Sequence, residues 1–162
     1  MDLQLKGQTA LVTGSTAGIG YAIAQALAAE GAHVTINGRT QAGVDRAIEK
    51  LKASVPNANV NGIATDAGNA AGCEQLINAL KDVDILVNNL GIFDPKPFET
   101  IPDADWTRFF ETNVMSGVRL SRAFLPGMKS RNRGRIVFIS SESGICPPAE
   151  MVHYGMTKSA QL

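Results

Sequence analysis

Two hydrophobic periods alternate along this chain, and few folds can satisfy both. Thr9-Ala10-Leu11-Val12-Thr13 is a short apolar run that stops at a glycine, the mark of a strand buried on both faces. Ile19, Ile23, Ala26 and Leu27 then recur at helical spacing until Gly31, which caps the helix. The cycle repeats. His33 to Asn37 reads as a second strand, followed by a helix through Val44, Ile48, Leu51 and Val55 that Pro56 ends. Val60 to Thr65 reads as a weaker third strand, with a helix through Cys73, Leu76, Ile77 and Leu80. Asp84 to Asn88 is a fourth strand. After a loop with Pro95, Pro97 and Pro102, one long helix is expected from Asp103 to about Ser130, carrying Trp106, Phe109, Phe110, Val114 and Leu120. Arg135 to Ser141 is a fifth strand, and a last helix begins near Val152. Strands and helices in this order require right-handed crossovers, hence an α/β fold with a doubly wound parallel sheet covered on both faces.

At 162 residues and 44% hydrophobic content the chain suffices for one domain with its own core. Fifteen basic residues balance fifteen acidic ones, which gives no footprint for nucleic acid or an anionic membrane. No apolar run approaches the roughly 18 residues that span a bilayer. The first six residues do not read as a secretory leader. Cys73 and Cys146 are too few for a disulfide framework or a zinc site. A soluble cytoplasmic protein is expected, with a small molecule rather than a nucleic acid or a membrane as its ligand.

Chemistry concentrates in three places. The first strand runs into Thr13-Gly14-Ser15-Thr16-Ala17-Gly18-Ile19-Gly20, where glycines allow a tight turn and close backbone approach to a pyrophosphate at the positive end of a helix. The second strand ends at Asn37-Gly38-Arg39-Thr40. An NAD-binding domain usually offers an acid there for the ribose 2′-hydroxyl; here stands Arg39, and the nearest acid, Asp45, already lies within a helix. A guanidinium suits a 2′-phosphate, so NADP is favoured, with NAD second; the alternative is an ordinary surface arginine. The last helix opens with Tyr154-Gly155-Met156-Thr157-Lys158. Residues at i and i+4 share a helix face, which puts a phenol beside an ammonium. A free phenol is a poor base at neutral pH, and moving its titration to about 7 takes about 4 kcal/mol. A unit charge about 4 Å away at an effective dielectric of about 20 supplies roughly that amount.

With these residues in view, the chain resembles the short-chain dehydrogenase/reductase family. The glycine run from Thr13 to Gly20, Asn88-Asn89-Leu90-Gly91, Asn113, Ser141 and Tyr154-x-x-x-Lys158 follow the family's motifs in order, from about Lys6 to the end of the chain. The resemblance implies a Rossmann-type sheet of strand order 3-2-1-4-5 and interconversion of a ketone and a secondary alcohol by hydride transfer with NADP(H). It implies that Tyr154 is the proton donor or acceptor at the substrate oxygen and that Lys158 tunes it and holds the nicotinamide ribose. Ser141, 13 residues before Tyr154, would hydrogen-bond the substrate oxygen, and Asn113 would anchor a water that passes protons toward Lys158. Gly14, Ser15, Thr16, Gly18, Ile19, Gly20, Arg39, Asn89 and Gly91 would line the cofactor together with Tyr154 and Lys158. Asp66 would contact adenine, or else cap the turn after the third strand. His153 points about 100° away from Tyr154 and receives no catalytic role. Cys146 either lines the substrate cleft or is a plain loop cysteine.

The chain departs from the family in three respects. Leu90 replaces the usual alanine of Asn-Asn-Ala-Gly and could crowd the cofactor. Ala17 stands where NADP-preferring relatives often carry a basic residue. The dinucleotide fold has six strands and five are counted, the chain ending four residues after Lys158 with a last helix of barely three turns; the domain spanning 1–162 is therefore expected to be incomplete at its C-terminus. Family members also pair through the long helix from Asp103 and the final helix, so a homo-oligomer is expected. A non-catalytic nucleotide-binding or interaction fragment of a longer dehydrogenase is the alternative to an enzyme.

Overall fold

The computed structural model describes residues 3–162. Five parallel strands form one sheet: β1 (Thr9–Val12), β2 (His33–Gly38), β3 (Val60–Ala64), β4 (Ile85–Asn88) and β5 (Arg135–Phe138). Their order is β3-β2-β1-β4-β5, as the sequence leads one to expect. Register is continuous across the centre, with Leu11 beside Thr35 on one side and Leu86 on the other.

Alternate residues of each strand serve opposite faces. Ala10, Val12, Val34, Ile36, Ile85 and Val87 join one core with Tyr21, Ala24 and Ala28 of α1 (Gly18–Ala29) and Ala47 and Leu51 of α2 (Gln41–Ser54). Leu11 and Leu86 face the other way, against Cys73 and Leu76 of α3 (Ala70–Ala79) and against Leu120, Phe124 and Met128 of the long helix. Burying each such aliphatic side chain contributes about 1.5–3 kcal/mol. This two-faced cover is why β1 and β4 read as nearly unbroken apolar runs.

The expected single helix from Asp103 to Ser130 is in fact interrupted. α4 (Asp103–Phe110) passes through a π turn at Glu111–Met115 into α5 (Ser116–Ser130). One additional residue in the turn shifts the helical phase there, and Asn113 sits inside it, 1% exposed. Single π turns inside α-helices are frequent at functional sites. Farther on, β5 ends at Phe138 rather than at Ser141, because Ser141 already caps a short 3-10 turn, accepting from the Ser143 amide. The final helix, α6, runs from Val152 to Ser159, eight residues and so nearer two turns than three.

Candidate active site

All the chemistry-bearing segments leave the sheet at its C-terminal edge, around β1 and β4. There the strand order turns back on itself, which opens a crevice in a doubly wound sheet. The glycine loop follows β1. Gly14 and Gly18 have φ of +60° and +57°, a left-handed conformation that L side chains adopt only at a cost. Gly20 has no such φ, but a β-carbon there would run into the Asn89 side chain and the Gly14 carbonyl. Asn89 fixes the loop from below, donating from Nδ2 to the carbonyls of Thr13 and Gly14 at 2.9 and 3.1 Å. Thr13 Oγ1 in turn accepts from the amides of Asn89 and Leu90.

The loop residues divide into support and contact. Ser15 is fully buried: its hydroxyl donates to the Val12 carbonyl and accepts from the Asn37 amide, and its own amide donates to the Asn37 carbonyl. It therefore shapes the loop and joins β1 to β2. Thr16 lines the crevice with Gly14, Gly38, Arg39, Asp66 and Leu90, and Ile19 is 66% exposed in the first turn of α1. That helix starts after Ala17 as its N-cap residue, has no side-chain cap and no acidic residue in its first turn. Its N–H groups, together with the glycine backbone, fit a pyrophosphate. Arg39 is exposed at the mouth and makes no ion pair among the described residues. Asp66 accepts from the Gly68 amide at 3.0 Å, which realises the turn-capping alternative and leaves its second oxygen toward the crevice. Leu90 packs against the α3–α5 core and lies 3.3 Å from where a Gly14 β-carbon would be. It is thus a wall of the crevice anchored in the core.

Tyr154 and Lys158 meet on one face of α6, with Lys158 Nζ 5.5 Å from the centre of the phenol ring. Lys158 is only 4% exposed, and burial pushes its ammonium below the ordinary lysine range. Its Nζ donates to the Ile139 carbonyl at 2.7 Å and to Gln161 Oε1 at 2.9 Å. Phe93 stands edge-on to Tyr154, ring centres 6.3 Å apart, at the open side of the site. Ser141 uses its oxygen as an acceptor toward Ser143, which leaves its hydroxyl proton to donate. Gly91 faces both Asn113 and Lys158: a β-carbon there would lie 3.6 Å from Asn113 Oδ1 and 3.7 Å from Lys158 Nζ.

Asn113 joins three elements. Its Oδ1 accepts from the Ile92 amide, while its Nδ2 donates to the Ile92 carbonyl and to Thr157 Oγ1, at 2.8, 3.0 and 2.9 Å. The loop after β4, the π turn and α6 are thereby held in one geometry. Thr157 and Gln161 were not marked by the sequence motifs; only the i+3 position of Gln161 relative to Lys158 could have drawn attention to it. His153 is fully buried against Phe109 and Trp106, with both ring nitrogens without a hydrogen-bond partner. Burial lowers its pKa and so favours the neutral ring, which packs against α4 rather than beside the phenol. Cys146 is exposed in the loop after Ser141.

A crevice at the strand switch, a glycine loop at an uncapped helix and a Tyr-Lys pair on the last helix define a Rossmann-type α/β domain. The family model for the short chain dehydrogenases matches residues 8–162, and the chain belongs to that family. Over 162 residues it is 53% identical to an oxidoreductase of Bacillus subtilis, YvaG, covering 100% of this chain and 61% of that protein. It is 37% identical over 158 residues to the D-beta-hydroxybutyrate dehydrogenase of Cupriavidus necator, covering 95% of this chain and 60% of the relative. An L-sorbose reductase from Gluconobacter frateurii, solved with NADPH and L-sorbose, superposes with a TM-score of 0.94 at 33% identity, over 99% of this chain and 62% of that one. The chain thus spans about three fifths of the length of the relatives it matches. Among the described residues no helix is long and apolar enough to cross a membrane.

Proposed function

We propose that this chain carries the cofactor cradle and the proton-transfer residues of an NADP(H)-dependent oxidoreductase that interconverts a ketone and a secondary alcohol. The observation that carries the reading is the buried Lys158 ammonium beside the Tyr154 ring, close to Gly91 of the loop after β4. The cofactor, when bound, supplies or accepts the hydride. The chain's own residues do the rest. Gly14, Gly18 and Gly20 admit the pyrophosphate to the backbone and the N-terminus of α1. Arg39, without an acidic partner among the described residues, suits a 2′-phosphate, and the NADPH in the sorbose reductase supports a nicotinamide dinucleotide as the cofactor. Tyr154 gives a proton to the carbonyl oxygen in reduction and takes it back in oxidation; Ser141 donates to the same oxygen and orients it. Lys158 stabilises the phenolate electrostatically and holds the ribose. Asn113 keeps α6 in register with the loop after β4.

Phe110, Val118 and Leu125 are exposed along α4–α5, a face suited to pairing with a second copy, and a cytoplasmic location agrees with the ligand and the free thiols. Absorbance at the reduced nicotinamide band with a panel of ketones and secondary alcohols tests the reading. NADPH-dependent turnover is expected; calorimetric binding of NADPH without turnover on any substrate would leave a nucleotide-binding module instead.

A further inference from the structure

A buried ammonium needs acceptors, and Lys158 has an unusual pair. It is the only charged group at its position: no carboxylate or second cation faces it among the described residues, and Tyr154 is the one other titratable group close by. The Ile139 carbonyl at the end of β5 takes one of its three protons and Gln161 Oε1 takes another. The opposite end of the same amide, Gln161 Nε2, donates to the backbone carbonyl of Asn113 at 2.6 Å. Gln161 therefore spans from α6 to the π turn. Its direction is dictated by chemistry: reversed, it would set an NH2 against the ammonium and an oxygen against a carbonyl.

We infer that Gln161 is a positioning residue for the proposed reaction, an amide strut between the Asn113 carbonyl and Lys158 where the family resemblance expects a water. The inference rests on the oxidoreductase reading above. The strut fixes one of the three N–H directions of Lys158 and the Ile139 carbonyl fixes a second, which leaves the remaining one for the phenol and the ribose. It also supplies an acceptor to a desolvated cation. Without it the charged form of Lys158 is less favoured, and the ammonium beside the phenol loses its proton at lower pH. Because an amide does not exchange protons as a water does, Gln161 acts by holding Lys158 rather than by relaying.

Two variants separate these roles in the complete protein. Gln161→Met keeps length and removes both hydrogen bonds. Its kcat should fall about tenfold, the alkaline limb of its pH profile should move down by about one unit, and the Kd for NADPH by calorimetry at neutral pH should rise severalfold. Gln161→Glu keeps an acceptor for Lys158 but cannot donate to Asn113 when ionised, so its alkaline limb should move up. Opposite displacements of the limb in the two variants, with melting temperatures close to wild type, establish the strut. Profiles and NADPH affinities that superpose on wild type overturn it, as do equal losses in both variants with the limb unmoved, which mark a purely structural side chain. A wild-type protein that neither binds NADPH nor turns over a carbonyl instead removes the reading on which the inference stands.

Discussion

The two halves of the sheet are built to different standards. On the β1–β2 side Leu11, Val12 and Ile36 are fully buried, and Ser15 and Asn37 tie the strands together through side-chain and backbone hydrogen bonds. On the β5 side the strand pairs only with β4, and Val137 and Phe138 are 42% and 36% exposed. Yet the outer half carries Ser141, Tyr154 and Lys158. The glycine loop grows out of strands made rigid by burial, whereas the Tyr154–Lys158 pair is held by polar ties, chiefly Asn113, Gln161 and the Ile139 carbonyl. Burial organises a surface that must be complementary to a large ligand; hydrogen bonds organise individual atoms that must be aimed.

Breaking each half in turn should give opposite signatures, and this is the largest effect expected. Tyr154→Phe keeps the ring but removes the transferable proton, so kcat should drop by about 10²–10⁴ with NADPH affinity nearly unchanged. Gly20→Ala should weaken NADPH binding by at least about tenfold through the collision with Asn89 and the Gly14 carbonyl, before any effect on chemistry. Calorimetry and steady-state kinetics on both variants read the contrast, and matching losses of affinity would dissolve it.

Stability should divide along the same line. Leu86→Ala, in the fully buried centre of β4, should cost about 2–5 kcal/mol. Val137→Ala in β5 should cost less than about 1 kcal/mol, since much of that side chain already meets solvent. Denaturant titration compares them. Among the described residues no strand pairs with the outer edge of β5, which makes it a template for strand addition. The 162-residue chain should therefore self-associate as its concentration rises, and Val137→Lys should reduce that association in light scattering.

Cofactor choice is a smaller matter. Arg39→Asp should erase or reverse a preference for NADPH over NADH, a change of about tenfold or more in relative Kd; a wild type that prefers NADH would refute the role of Arg39.

The smallest effect expected is that of His153 on stability in mild acid. Its folded pKa lies below the unfolded value of 6.5, so between the two the unfolded chain binds the proton and the folded chain does not. Stability should thus decline as pH falls below about 6.5. His153→Phe should flatten that slope in thermal melts, and an unchanged slope would place its source elsewhere.

Much of the fold was legible before any coordinates. Periodicity marked five strands, because apolar runs such as Ile85-Leu86-Val87 have one stable environment, a sheet covered twice; their order in the sheet came with the family resemblance. The pairing of Tyr154 with Lys158 was equally legible, since a helix of known pitch decides which residues share a face. The phase shift at Glu111–Met115 was not, because the apolar pattern on both sides of it stays helical and only the hydrogen-bond ladder changes. Nor was the early end of β5, where Ser141 prefers to cap a turn.

What the sequence determined by itself is whatever follows from neighbours within about one helical turn or one strand: element order, the glycine loop, and the phenol beside the ammonium. The tertiary structure alone decided which groups hold those residues in place. Asn113 meets the Ile92 backbone 21 residues away, Thr157 44 residues away and Gln161 48 residues away. Local periodicity carries no information about such contacts. They exist because the crossovers bring the loop after β4, the π turn and α6 to the same edge of the sheet, where a buried asparagine and a buried lysine must each find partners or lose the hydrogen bonds that water would have given them.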